Sequence, residues 1–105
     1  MKFRVYRTER FEKEFHKLPN AEKREIGKFE EKLSENPFLG KPLGYPFFRE
    51  KKLNNRRVYY LVYENFVVVL IVAIGDKKTQ QATIEDIKRR LDDYQQVIKD
   101  ALIRS

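Results

Sequence analysis

The run Phe66 to Ile74, FVVVLIVAI, is the feature that most limits how this chain can fold. Side chains of a strand alternate between two faces, and here both alternating sets are apolar, so the run reads as a central strand covered on both sides. It is far too short to cross a bilayer. Gly75 ends it, and Asp76, Lys77 and Lys78 emerge at its C-terminal edge.

The residues before this strand supply its neighbours. Phe47 to Leu53 reads as a strand, Asn54-Asn55 as a tight turn whose residues tolerate positive φ, and Arg57 to Tyr63 as the returning strand. Glu64-Asn65 turns the chain again. The result is a three-stranded antiparallel meander, and from Arg49 to Lys78 basic residues occupy its strand ends and alternate positions. Val58, Tyr60 and Val62 share one face and read as its buried set, while Tyr59, Tyr60 and Tyr63 are the rings available to stack on a base.

The flanks provide the covering layers. Phe3 and Val5 share one face of a short N-terminal strand, with Arg4 and Tyr6 on the other, and this strand is expected at an edge of the sheet. From Thr8 the apolar period changes: Phe11, Phe15 and Leu18 form one stripe of a helix that Thr8 or its neighbour can cap and Pro19 stops. Asn20 is placed to cap a second helix, with Ile26, Phe29 and Leu33 as its stripe and Asn36-Pro37 as its end. PFLGKPLGYPF is too rich in Pro and Gly for a helix or a central strand and reads as a loop. Thr83 and Asp86 have capping-box spacing for one long C-terminal helix running to Ser105, about 30 Å at 1.5 Å per residue. Its seam of Ile84, Ile87, Leu91, Tyr94, Ile98 and Leu102 outruns the strands. Part of it is therefore expected to meet another chain, as in a homodimer through this helix, or to bend back over the first two helices. Truncation after about Gln95 is then expected to lose partner binding or solubility.

This is an α+β chain, and its 105 residues, 41% hydrophobic, suffice for one domain with one core. No cysteine is present, which excludes disulfides, thiolate chemistry and cysteine-based metal sites. MKFRVYRTERFEK holds no apolar stretch of signal-peptide length, so a soluble cytoplasmic protein without a membrane partner is expected. Twenty-three Lys and Arg against sixteen Asp and Glu give a formal charge of +7, which favours nucleic acid or an acidic protein segment as partner. His16, the one histidine, lies beside the first helical stripe and is assigned no role.

The order strand, helix, helix, meander, helix, together with RVYYLVYENFVVVLIVAIGDKKTQQ, resembles the RelE/ParE toxin superfamily of toxin–antitoxin systems. An arginine opening a strand, a Tyr three residues later, and a glycine followed by basic residues look like the RelE pattern. DKKTQQATIEDIKRRLDDY and Glu50-Lys51-Lys52 are similar to the HigB-like branch. The resemblance implies a toxin that cuts messenger RNA on the ribosome without a metal or other cofactor, held inactive by a cognate antitoxin. The ribose 2′-hydroxyl attacks the adjacent phosphate, and preorganised cations stabilise the charge that grows there.

By position the resemblance assigns Lys52, Arg57 and Lys77 to phosphate stabilisation, and leaves Arg49, Lys51, Arg56 and Lys78 to hold the RNA backbone. Where RelE carries a C-terminal tyrosine, this chain places Thr83, a poor proton donor or acceptor. Lys52 is one candidate base, since the charges of Lys51 and Arg57 disfavour its protonated form. Asp76, Glu50, Tyr59 and Tyr94 are the others. Two further readings stand beside this one: a ParE-like inhibitor of DNA gyrase that cuts nothing, and an RNA-binding toxin relic. The first is set apart by its general lack of the cations kept here, and the second is raised by Thr83.

Overall fold

The computed structural model describes residues 2–104. The elements are β1 (Arg4–Arg7), α1 (Glu9–His16), α2 (Asn20–Glu35), β2 (Lys41–Pro42), β3 (Phe48–Leu53), β4 (Arg56–Tyr63), β5 (Val68–Gly75), α3 (Gln80–Arg89) and α4 (Leu91–Arg104). They form one five-stranded mixed sheet in the order β1-β5-β4-β3-β2. The meander β3-β4-β5 is antiparallel as expected. β1 takes the edge beside β5 but runs parallel to it, so the sheet is not antiparallel throughout. Its long connection through both first helices permits that geometry. The Pro- and Gly-rich loop contributes the opposite edge, a strand of two residues against Arg49 and Glu50.

β5 lies between β1 and β4, and its side chains from Val68 to Ala73 are wholly buried. One face carries Phe11 of α1, Leu18 of the link that follows it, and Ile26, Phe29 and Leu33 of α2, against Val58, Tyr60, Val62, Val69, Ile71 and Ile74. The other carries Ile87 of α3 and Ile98 of α4, with Phe48, Tyr59, Leu61, Leu70 and Val72. Thr8 caps α1 by accepting from Phe11 N at 3.0 Å, and the same hydroxyl donates to Val72 O at 2.7 Å, fixing the helix to the central strand. Asn20 does not cap α2: Pro19 occupies the cap, without a side-chain bond, and Asn20 is the first helical residue.

The C-terminal segment is two helices, broken at Arg90, rather than one. The break lets the seam follow the sheet: Ile84, Leu91, Tyr94 and Leu102 pack beside the fully buried Ile87 and Ile98. The seam therefore neither bends over α1 and α2 nor stays free for a second copy, and it gives no support to a homodimer. Removing residues after Gln95 deletes part of the core. Asp86 stabilises the break by taking Arg90 Nε at 3.1 Å on one oxygen and Arg10 Nη1 of α1 at 3.0 Å on the other. The hydrogen bond from Arg90, above the other contacts, holds the Asp86 carboxyl below the usual carboxylate range. Thr83 lies buried within α3, so it caps nothing. The reciprocal bonds form earlier, with Thr79 N donating to Asp76 Oδ1 at 3.0 Å and Asp76 N to Thr79 Oγ1 at 3.1 Å. Ser105 lies outside the described residues. Among the described residues, no helix is long and apolar enough to cross a membrane.

Candidate active site

The meander's register places Lys52 opposite Arg57 and Arg57 opposite Gly75, a row across three strands. The chain leaving Gly75 then lays Asp76, Lys77 and Lys78 beside that row. Lys52, Asn55, Arg57, Asp76, Lys77 and Lys78 line a cleft of about 300 Å³. A β-bulge sets this alignment, because Tyr59 pairs with Ala73 but Tyr60 with Ile71, leaving Val72 as the extra residue. Val72 and Ala73 consequently both face α3 and α4, while Ile74 returns to the side of α1 and α2. Without the extra residue Arg57 would oppose Ile74, and the turn carrying Lys77 would leave the sheet one residue out of step.

Arg57 is held from beneath. Its Nη1 donates to Glu50 Oε1 at 3.2 Å, with the side chains 16% and 4% exposed. The same carboxylate oxygen accepts Gln80 Nε2 of α3 at 2.8 Å. Glu50 is thereby a buried anchor that orients the guanidinium, and it does not face the cleft as a free base. Gln80 was not read from the sequence as part of the site. The turn closed by Asp76 and Thr79 leads directly into α3, whose first residue is Gln80.

The four cations expected to hold RNA backbone divide. Lys78 lines the cleft. Arg56 faces the opposite side of the sheet and pairs with Glu22 of α2 at 3.4 Å. Lys51 lies on that same side, in a hollow with Phe29, Lys28 and Lys32 of α2. Arg49 binds Gly40 O at 2.9 Å and Pro46 O at 2.8 Å, so it ties loop to strand. The structure therefore does not gather Arg49, Lys51 and Arg56 at the cleft, and strand alternation is the reason. Lys52 and Lys77 make no ion pair among the described residues.

The acid–base candidates also separate. Tyr59 is wholly buried, and burial above all, with the charge of Glu50 adding to it, pushes its hydroxyl up to about 12. Tyr94 packs into the core beneath α4. Tyr59 and Tyr60 are both fully buried, so neither stacks on a base, and burial also pushes the half-buried Tyr63 up. Asp76 borders the cleft, but the Thr79 N–H and further hydrogen bonds in the turn before α3 hold its carboxyl below the usual range. Lys52 lines the cleft, exposed and without an ion pair among the described residues.

Fold and charge together define a small α+β domain with a cationic cleft where its meander ends. No protein-family model matches the chain, and no curated protein matches it by sequence. Among solved structures it is similar to the E. coli toxin RelE, as a free double-arginine mutant, at 27% identity and a TM-score of 0.73 over 85% of this chain and 98% of that one. It is similar to a chain of the intact E. coli RelBE toxin–antitoxin complex at 28% identity and a TM-score of 0.64, over 72% and 96%. A chain of the RelBE2 complex from Mycobacterium tuberculosis shares the fold at 22% identity and a TM-score of 0.65, over 73% and 100%. The fold is the RelE fold, and these likenesses support the RelE/ParE toxin superfamily that the meander resembles.

Proposed function

We propose that this chain is the toxin of a toxin–antitoxin system and cuts messenger RNA on the ribosome, in the cytoplasm. The observation that carries the reading is the convergence of Lys52, Arg57 and Lys77, from three separate stretches of sequence, on one cleft of a RelE-like fold. In the reaction the 2′-oxygen bonds to the adjacent phosphorus, the bond from phosphorus to the 5′-oxygen breaks, and a cyclic phosphate and a 5′-hydroxyl result. One proton leaves the 2′-hydroxyl and one reaches the departing 5′-oxygen. Arg57, fixed by Glu50, meets the equatorial oxygens with planar donors, and Lys77 and Lys78 add charge at the cleft wall. Lys52 is the side chain assigned to take the first proton.

A cognate antitoxin is the proposed partner. The E. coli and M. tuberculosis neighbours were solved as toxin–antitoxin complexes, and the uncovered cations suit an acidic segment. The test is induced expression in cells, followed by mapping of message ends. Translation should stop with cuts between codon positions, and Lys52→Ala or Lys77→Ala, both exposed residues, should relieve the arrest in a folded protein. Arrest with intact messages would sink the endonuclease reading, and inhibition of supercoiling by the purified chain would replace it with the ParE-like one.

A further inference from the structure

Tyr59 and Tyr60 of the meander are fully buried, yet the chain presents two aromatic rings beside α3. Tyr45 and Phe47 are 41% and 37% exposed and stack on each other with centroids 4.9 Å apart. Their loop is pinned: Phe48 N donates to Tyr45 O at 3.2 Å, Leu43 N to Phe48 O at 2.8 Å, and Arg49 Nη1 to Pro46 O. Lys88 of α3 lies over the Tyr45 ring at 5.9 Å. It reaches that place across Gly44, where φ is +89° and a Cβ would come within 3.1 Å of the Lys88 ammonium. The hollow beside the pair, about 330 Å³, is lined by Pro42, Gly44, Tyr45, Pro46 and Arg49, without a carboxylate.

We propose that Tyr45 and Phe47 form a stacking platform for a base of single-stranded RNA, placed along α3 from the cationic cleft. This rests on the reading of messenger RNA as substrate and adds a second contact to it. α3 links the two places: Gln80, at its start, bonds Glu50 beneath Arg57, and Lys88, two turns on, covers Tyr45. Eight residues of helix span about 12 Å at 1.5 Å each, a distance that a short stretch of strand can bridge. Rigid aromatic faces flanked by cations take unstacked bases without regard to sequence. The cationic surface ends at Phe47, whose far side borders a hollow carrying Glu64 and Asp92. RNA thus has a reason to stop there, and a neutral apolar protein segment has no use for the lysine and arginine.

The experiment measures anisotropy of a labelled single-stranded RNA of about twelve nucleotides with the full chain and no ribosome, walking one abasic position along the strand. In the wild type one abasic position should weaken binding by roughly 5- to 150-fold, the range seen when base–aromatic stacking is lost. Tyr45→Ala should weaken intact RNA by a similar factor and become insensitive to that abasic site, while Tyr45→Phe should bind like wild type. Lys52→Ala should weaken intact and abasic RNA alike. Wild type that ignores RNA, Tyr45→Ala that binds normally, no sensitive position, or a Tyr45→Ala that loses a protein partner while keeping RNA would each overturn the proposal. Message cleavage in cells is scored separately, so stacking without cleavage would keep the platform and remove the endonuclease.

Discussion

Replacing Glu50 with alanine tests whether Arg57 is held by a buried partner or by its strand alone. The Glu50 side chain is 4% exposed and Arg57 16%, and their contact is 3.2 Å. Deleting one member of a buried pair leaves the other desolvated and uncompensated, at a cost of about 3–5 kcal/mol. The residual exposure of Arg57 admits some water, which places Glu50→Ala near the lower end, at about 3 kcal/mol. For a chain of 105 residues, an unfolding entropy of about 2.1 cal/mol/K per residue converts that into a fall in Tm of roughly 14 °C.

The assay is urea unfolding followed by far-ultraviolet circular dichroism, on Glu50→Ala, on the single variants Glu50→Met and Arg57→Met, and on the double variant Glu50→Met with Arg57→Met. The double variant buries no unpaired charge and should recover most of the loss, giving a coupling of about 2–3 kcal/mol between the positions. If Glu50→Ala loses less than about 1 kcal/mol and the double variant is merely additive, Arg57 is not anchored as described. A corollary follows for activity: Arg57→Ala strands a buried carboxylate, so its effect on cleavage mixes chemistry with stability. Lys52 and Lys77 are the cleaner probes.

Gly40→Ala should destabilise by about 2–3 kcal/mol, because its Cβ would lie 2.5 Å from Glu50 O and 2.8 Å from the Tyr60 hydroxyl, and strand backbone does not yield cheaply; unchanged urea midpoints would refute this. Ile98→Ala should cost about 2–4 kcal/mol, and Ile103→Ala, at 82% exposure, close to nothing; equal effects would mean that α4 is not seated on the sheet. Tyr59, raised from about 10 to about 12 by burial, contributes stability in full below pH 10 and loses it as pH climbs through 12. Tyr59→Phe should therefore lose less stability than wild type between pH 8 and pH 11 by urea unfolding, and equal losses would count against that burial.

Much of the fold was legible because apolar periodicity is local. The doubly apolar run from Phe66 to Ile74 demanded cover on both faces, and two helical layers supply it. Thr8, Pro19 and Asn54-Asn55 marked boundaries through capping and turn chemistry, and Asn54 does adopt φ +57°. What failed depended on partners distant in sequence. Asp86, which binds Arg90 at the break, is tied as well to Arg10 of α1, far away in sequence, and β1 runs parallel to β5 after a connection through two helices. The bulge at Val72 leaves no mark in a run where every residue is apolar. Of the site, Lys52, Arg57 and Lys77 were singled out by the resemblance alone, and the strand register brings the three to one cleft. Glu50 as anchor was not legible, because burial decides whether a carboxylate is a base or a brace.

Strand parity sorts the remaining charge and assigns it different work. Arg56 and Arg57 are neighbours, yet Arg56 shares its face with Val58, Tyr60 and Val62, and reaches Glu22, while Arg57 shares its face with Tyr59 and Leu61, and reaches Glu50. On β3 the same alternation sends Lys51 toward α2 and Lys52 toward the cleft. The cleft thus receives one cation from each strand of the β3–β4 pair and its lysines from the turn after β5. A planar guanidinium bound to a buried carboxylate has a fixed orientation and matches two phosphate oxygens at once, whereas an ammonium on a flexible stem acts as a point charge that adjusts. On the proposed function, charge that develops in the transition state is best met by donors already in place, which gives the geometric role to Arg57 and the adjustable one to Lys77 and Lys78. Arg57→Lys should on this argument impair cleavage although the charge is kept, and it would do so because Glu50 can orient a fork but not a point.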